Sequence, residues 1–108
     1  MPKQDYFDKG QLTDLTYLIL LVLIKPRHGY VIMNEINMLT EGGVKIGPAS
    51  LYTTLRKLTE SDYIQLKDSQ ENRKTYQITE RGMDILRIEI DKRQKLADYG
   101  KKALEEVV

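Results

Sequence analysis

The sequence predicts a mainly α-helical protein with one small β-hairpin and a long C-terminal helix. Apolar residues repeat at helical spacing in three segments before residue 60. Two short alternating segments follow between residues 63 and 79, and a charged turn separates them. Helical spacing then returns and continues to the end of the chain. Helix, strand, charged turn, strand is the order of a winged helix-turn-helix fold.

The first predicted helix follows a polar arm of residues 1–11. Thr13 or Asp14 can cap it, and Pro26 ends it because proline cannot continue a helix. Apolar residues cover nearly the whole circumference of segment 17–24, whereas an exposed helix normally shows a single apolar stripe. We therefore expect one side to face the domain core and the other side to face a partner chain.

The second predicted helix runs from about Tyr30 to Leu39, after a turn at Arg27–Gly29. Glu41–Gly43 ends it with residues that tolerate positive φ. Val44–Ile46 is short and apolar at its ends, so it predicts a very short strand.

The third predicted helix begins at Gly47 and Pro48, with proline in the first turn, and reaches about Glu60. Its core-facing stripe has leucines at i, i+4 and i+7, namely Leu51, Leu55 and Leu58. A second stripe carries short hydroxyls and one cation, namely Ser50, Thr53, Thr54 and Lys57. Such side chains approach phosphates and base edges without a bulky barrier. This pattern indicates a DNA recognition helix, although the polar stripe by itself also fits an ordinary solvated face.

The hairpin is predicted from two alternating segments, Tyr63–Lys67 and Lys74–Thr79. Alternation places apolar residues together on each strand, namely Ile64 with Leu66 and Tyr76 with Ile78. The joining segment 68–73 is polar and turn-prone. Its tip would be the wing of the fold.

The last predicted helix begins near Thr79 and spans about 28 residues, or roughly 42 Å. This length exceeds what so small a domain can cover. One line of its apolar residues comprises Met83, Leu86, Ile90, Ala97 and Leu104, and the stripe is widened by Ile85, Ile88, Leu96, Tyr99 and Val107. We expect residues 1–79 to form the DNA-binding domain and residues 80–108 a dimerisation helix that packs on its symmetry mate.

Composition limits the function classes. The 108 residues contain no cysteine and one histidine, His28, so a thiolate metal site is excluded and a lone histidine makes no zinc or catalytic site. We find no phosphate-binding loop, nucleophile elbow or paired-acid motif, and expect neither an enzyme nor a cofactor. The longest apolar run has eight residues, far below the roughly 18 of a membrane span. With no apolar N-terminal signal, we expect a cytoplasmic protein.

The charge balance is nearly neutral, with a formal net charge of +1 and a pI of about 7.9. Dedicated nucleic-acid domains are often strongly basic. Any attraction to DNA must therefore come from the local placement of cations in the binding half, namely Lys45, Arg56, Lys57, Lys67, Arg73 and Lys74. The alternative that this composition leaves open is a winged-helix module that binds protein.

The chain resembles the PadR family of transcriptional regulators, specifically its short members with a single C-terminal helix. The resemblance rests on Gly29-Tyr30, on Pro48 to Tyr52 with Leu55 and Leu58, on Tyr63-Ile64, and on Arg73-Lys74 with Tyr76, Ile78-Thr79 and Gly82. It implies a homodimer that binds a pseudo-palindromic operator in double-stranded DNA, usually as a repressor, and in some members a small-molecule effector. Two positions depart from the family pattern: Asp62 stands where glycine is usual, and Ala49 where glycine or another small residue is usual.

The resemblance implies that residues 48–60 are the recognition helix and residues 67–74 the wing. The predicted DNA-binding residues are Lys45, Ser50, Tyr52, Thr53, Thr54, Lys57, Lys67, Arg73 and Lys74. The predicted dimerisation residues are Tyr17, Leu18, Leu21, Leu86, Ile90, Ala97 and Leu104. A ligand pocket at the dimer interface would use Tyr17, Tyr30, Met33 and Tyr99. The alternative for these four residues is simple core packing. If the pocket exists, the alternative function of the protein is that of a ligand sensor.

Overall fold

The computed structural model describes Phe7, residues 11–68 and residues 74–107. Within these ranges, four helices and three strands follow in chain order: α1 (Asp14–Val22), β1 (Arg27–His28), α2 (Gly29–Leu39), α3 (Pro48–Glu60), β2 (Ile64–Asp68), β3 (Thr75–Ile78) and α4 (Glu80–Val107). The mainly helical fold with one small sheet and a long last helix confirms the predicted fold class.

Helix α1 ends about one turn earlier than predicted. It begins as expected, because the Thr13 hydroxyl accepts a hydrogen bond from the Thr16 backbone N–H. At its end, Arg27 Nε donates to the Val22 carbonyl at 2.7 Å, and the Ile78 N–H donates to the Leu23 carbonyl at 2.8 Å. The last carbonyls of the helix are thus bonded to Arg27 and to β3, and the helix ends before Pro26.

The sheet has the order β1–β3–β2, and both pairings are antiparallel. The turn predicted at Arg27–Gly29 is wrong for its first two residues, because Arg27 and His28 pair with Tyr76 and Thr75 of β3. The strand predicted at Val44–Ile46 is also wrong. This segment stays irregular, and the third strand of the sheet is β1 instead.

The hydrophobic core lies between the helices and one face of the sheet. Its buried apolar residues come from every element except β1: they include Ile19, Leu20, Leu23, Ile32, Ile36, Leu51, Leu55, Leu58, Tyr63, Ile64, Ile78, Ile85 and Leu86. Leu66 departs from the predicted alternation. It lies on the same strand as the buried Ile64, yet 44% of its surface is exposed, because the hairpin extends past the core at this point.

Helix α4 divides into a packed half and a projecting half. Gly82, Ile85, Leu86 and Glu89 are buried against α1, β3 and the segment before β2. Residues 94–107 are all exposed, and the molecule measures 59 Å along its longest axis. Leu86 is only 2% exposed, so its predicted role at a dimer surface is corrected: it belongs to the core of its own chain.

In the described ranges, no helix combines the length and the apolar character that crossing a membrane requires.

Candidate nucleic-acid interface

Helix α3 presents the predicted leucine stripe to the core. Gly47 is the N-cap of α3, and Pro48 lies in its first turn. Amide hydrogens of the first turn have no partner within the helix, so proline loses no hydrogen bond there. Leu51, Leu55 and Leu58 are at most 1% exposed. Burying this stripe fixes the rotation of the helix about its axis, and thereby decides which residues face outward.

The polar stripe of α3 lies on the molecular surface. Ser50 and Thr53 are exposed, and Thr54 and Lys57 are half-buried. Two short hydroxyl side chains therefore stand at the outermost positions, where a base edge or a phosphate can approach them closely. The prediction that this stripe points away from the core is confirmed, and its contact with DNA stays a prediction.

Tyr52 lies on another side of α3, facing the sheet. A Cβ atom added at Gly29 would stand 3.2 Å from Tyr52 Cε1 and 3.4 Å from Tyr76 Cε2. The start of α2 thus fits closely against the two tyrosine rings, and a larger residue at Gly29 would require them to shift by a few tenths of an ångström. Burial, and to a smaller extent the charge of an ionised Tyr52, raises the pKa of Tyr76, so Tyr76 stays a neutral phenol at physiological pH.

The base of the wing carries two exposed lysines. The pairing of Leu66 with Tyr76 and of Asp68 with Thr75 leaves Lys67 as the extra residue of a β-bulge. Lys74 is exposed, while its carbonyl accepts a 3.1 Å hydrogen bond from the Gly29 N–H. The predicted wing residue Arg73 lies outside the described residues, and Lys45 is exposed in the irregular segment before α3.

A groove of about 410 Å³ separates α3 from the hairpin. It brings together two predicted DNA-binding residues, Tyr52 and Lys74, with one that was not among them, Arg56. The polar stripe lies on a different side of α3. The predicted DNA-binding residues therefore form two neighbouring surfaces, the stripe itself and this groove.

Arg56, a cation of the binding half that was not among the predicted DNA-binding residues, is exposed and pairs with Glu60 at 3.0 Å. Its i, i+4 spacing from a carboxylate was visible in the sequence, but that pattern is typical of any solvated helix. Only the fold shows that Arg56 faces the wing.

The residues predicted at the dimer surface lie on α1 and α4. Tyr17, Leu18 and Leu21 are half-buried on α1, and Ile90, Ala97 and Leu104 are exposed on α4. The four predicted ligand residues have different neighbours in the single chain: Arg93 lies 4.3 Å above the Tyr17 ring, Tyr30 stacks on His28 at 5.7 Å, Met33 packs on the core, and Tyr99 is exposed.

No cluster of three or more histidine, aspartate or glutamate side chains in the described part of the chain is arranged to hold a metal ion.

Comparison with known proteins agrees with this architecture. The model of the transcriptional regulator PadR-like family matches residues 18–88. A curated relative, the transcriptional regulator YqjI of Escherichia coli K12, is 29% identical over 86 residues. That match covers 78% of this chain but 40% of the relative, so the chain spans less than half the length of that protein.

Two solved structures show the same fold. The PadR family transcriptional regulator from Eggerthella lenta superposes with a TM-score of 0.70 at 28% identity, over 84% of this chain and 81% of that one. Bacillus subtilis PadR in complex with operator DNA superposes with a TM-score of 0.62 at 24% identity, over 71% of this chain and 46% of that one.

Proposed function

Because this chain belongs to the transcriptional regulator PadR-like family, we propose that it binds a pseudo-palindromic operator in double-stranded DNA as a homodimer and represses transcription. The observation that carries this proposal is the division of α3 into a buried leucine stripe and an outward stripe of Ser50, Thr53, Thr54 and Lys57. A hairpin with exposed lysines at its base follows that helix directly.

In the proposed complex, α3 enters the major groove and the wing contacts the adjoining backbone. Hydroxyl and lysine side chains of the stripe contact base edges and phosphates. Two-fold symmetry then places the half-sites about one helical turn apart or at a multiple of it. Bacillus subtilis PadR, which shares this fold, was solved in complex with operator DNA, and this supports DNA as the partner in the proposal.

The projecting half of α4 supports the homodimer. Its large apolar side chains are exposed, with Tyr99 at 64% and Leu104 at 71%. Leaving such a stripe in water is unfavourable, at roughly 25 cal/mol for each Å² of apolar surface. A second copy of the helix, packed along the same stripe, would bury it.

A mobility-shift titration with DNA from upstream of the protein's own gene tests the proposal. Lys57→Ala with Arg73→Ala removes one cation from the stripe and one from the wing, and we expect operator affinity to fall on the order of 100-fold. The matched control, Arg87→Ala with Lys102→Ala, removes two cations from α4 and should change affinity far less. Equal affinity for the stripe–wing variant and the parent would overturn the site assignment.

The nearly neutral net charge favours one rival function, a winged-helix module that binds protein. Retention on DNA-cellulose at low salt separates the two functions. Binding that weakens steeply with added salt supports the regulator, whereas complete absence of retention supports the interaction module.

The proposal includes release from DNA by a small-molecule effector bound between the protomers. Its support is the aromatic character of Tyr17, Tyr30 and Tyr99 together with Met33, which suits a planar ligand. Titration of planar aromatic compounds, followed by tyrosine fluorescence and by DNA release, is the test. Fluorescence changes without any loss of DNA binding would leave the repressor intact and remove the effector from the proposal.

A further inference from the structure

The groove between α3 and the hairpin has cations on both of its walls. Arg56 lies on the helix wall, and Lys74 lies on the hairpin wall. Tyr52 and Tyr76 line the space between them, and Tyr76 is a neutral phenol whose pKa burial raises further above its ordinary value. The groove borders the polar stripe, because both are surfaces of α3.

One carboxylate in the groove opposes its positive potential. Glu60 accepts a hydrogen bond from Arg56 at 3.0 Å, and the two side chains are 44% and 56% exposed. An exposed i, i+4 pair of this kind is weak, since water screens it and both long side chains lose entropy when they are held together. A phosphate that reaches Arg56 can therefore replace Glu60 at little cost.

The groove also offers apolar surface. Leu66 is 44% exposed and lines the groove, and the exposed Tyr52 ring lies on the opposite wall. A nucleic-acid backbone alternates charged phosphates with apolar deoxyribose rings. Cations beside an exposed leucine and an aromatic ring match that alternation.

We infer that this groove seats one strand of the DNA backbone, that Arg56 is its principal phosphate ligand, and that Glu60 is a built-in competitor for Arg56. The inference rests on the proposed function and deepens it, because it adds a contact surface beside the recognition stripe. Glu60 keeps Arg56 folded back against the helix when DNA is absent. Phosphate binding moves the guanidinium from the carboxylate to the backbone, so the two residues together adjust the strength of non-specific binding.

The experiment measures fluorescence anisotropy of a labelled 30-base-pair duplex of mixed sequence across a salt series, since phosphate contacts do not depend on base sequence. Arg56→Gln should weaken binding about tenfold, as expected for the loss of a charge-assisted hydrogen bond. It should also reduce the slope of log K against log salt by about 0.9, the value for one lost phosphate contact. Glu60→Gln should tighten binding about threefold, in line with the low strength of an exposed pair.

The double variant decides whether Glu60 acts through Arg56. If it does, Glu60→Gln brings no gain in the Arg56→Gln background. The matched controls are Arg87→Gln and Asp84→Asn, an exposed arginine and carboxylate paired at 3.1 Å on α4, and both should leave the salt slope unchanged. Circular dichroism confirms that each variant is folded.

Three results would overturn the inference. An unchanged salt slope in Arg56→Gln would show that Arg56 does not contact a phosphate. If Glu60→Gln still tightens binding in the Arg56→Gln background, Glu60 acts by general repulsion of DNA and not through Arg56. In both cases the parent protein still binds DNA, so the proposed function as a DNA-binding regulator is not contradicted. Absence of duplex binding by the parent at low salt overturns both the inference and the proposed function.

Discussion

Glu89 accepts a hydrogen bond of 3.2 Å from the Leu12 backbone N–H, across 77 residues of sequence. Arg93 closes this contact from the other side: its Nε donates to Glu89 at 2.6 Å and its Nη2 donates to the Leu12 carbonyl at 3.1 Å. Lys92 also pairs with Glu89, at 3.2 Å. The fully buried carboxylate therefore ties α4 to the segment that leads into α1.

The first prediction concerns the pH dependence that Glu89 confers. Burial alone would raise its pKa, but the hydrogen bonds from Leu12, Lys92 and Arg93 outweigh burial and bring the pKa below the ordinary value of 4.5. A carboxyl group with a lowered folded-state pKa stabilises the fold fully above its unfolded-state pKa. That contribution is lost as pH falls through the folded-state pKa.

We therefore expect Glu89→Gln to lower the free energy of unfolding by about 2 kcal/mol at pH 7, and the difference from the parent to shrink as pH falls below 4.5. Urea titrations at a series of pH values, all at one protein concentration, measure this difference. Asp84→Asn is the control, because Asp84 is exposed and should show no such difference. A difference that stays constant down to acid pH would mean that the charge of Glu89 contributes nothing.

Glu89 also shows where sequence prediction stops. Periodicity predicts the four helices, the hairpin and the two stripes of α3, because each depends on neighbours a few residues apart. Glu89 is one of many charged residues in α4, and its neighbours in the sequence do not set it apart. Its burial depends on the contact between Leu12 and Arg93, which are far apart in the sequence. A local sequence pattern cannot predict that contact.

Contacts between residues that are far apart in the sequence also explain the other differences between the predicted and the observed structure. Strand β1 has two residues and exists only because β3 pairs with it. Leu86 lies on the predicted dimer stripe but turns toward its own core. In the candidate site, the rotation of α3 could be predicted from its leucines. The groove that includes Arg56 could not be predicted, because its shape depends on the position of the hairpin relative to α3.

The second prediction contrasts two glycines of α4. A Cβ atom at Gly82 would stand 2.1 Å from the Tyr63 carbonyl oxygen and 2.6 Å from Ile78 Cγ1, whereas at Gly100 nothing lies within 4 Å. Gly82→Ala should lower the free energy of unfolding by about 3 kcal/mol, because backbone atoms must move apart. Gly100→Ala should raise it by about 0.8 kcal/mol, the difference in helix propensity.

Denaturant midpoints at equal protein concentration test both glycine variants. Each variant adds one methyl group to the parent in the same helix, so each serves as the control for the other. Similar midpoints for the two variants would show that the close approach of α4 to Tyr63 is not required.

The third prediction concerns the oligomeric state. Light scattering of the parent should give about twice the chain mass of 12.6 kDa if the exposed stripe of α4 packs on a second copy. Leu104→Lys places a charge in that stripe and should shift the mass toward a single chain. Asp98→Asn, which changes the net charge by the same +1 on the polar face of the helix, should leave the dimer intact. A parent that is monomeric at micromolar concentration would contradict the predicted role of α4.

The last prediction concerns Asp62, whose φ of +66° lies in the left-handed region. Its carbonyl accepts a 2.7 Å hydrogen bond from the Thr79 hydroxyl, which also accepts one from the Gly82 N–H. The start of α4 thus holds the turn before β2 in this conformation. Glycine adopts this backbone conformation without a side-chain clash, but it also increases the entropy of the unfolded chain. The net effect of Asp62→Gly should be to raise the free energy of unfolding by about 0.5 kcal/mol.

Asp62→Asn separates this backbone effect from charge, because asparagine removes the carboxylate but keeps a side chain. If Asp62 repels DNA from the hairpin side, both variants should bind the mixed-sequence duplex more tightly, by about twofold and to the same extent. Only Asp62→Gly should also shift the denaturant midpoint upward. A higher midpoint in Asp62→Asn would show that the charge, rather than the left-handed backbone, is what costs stability at this turn.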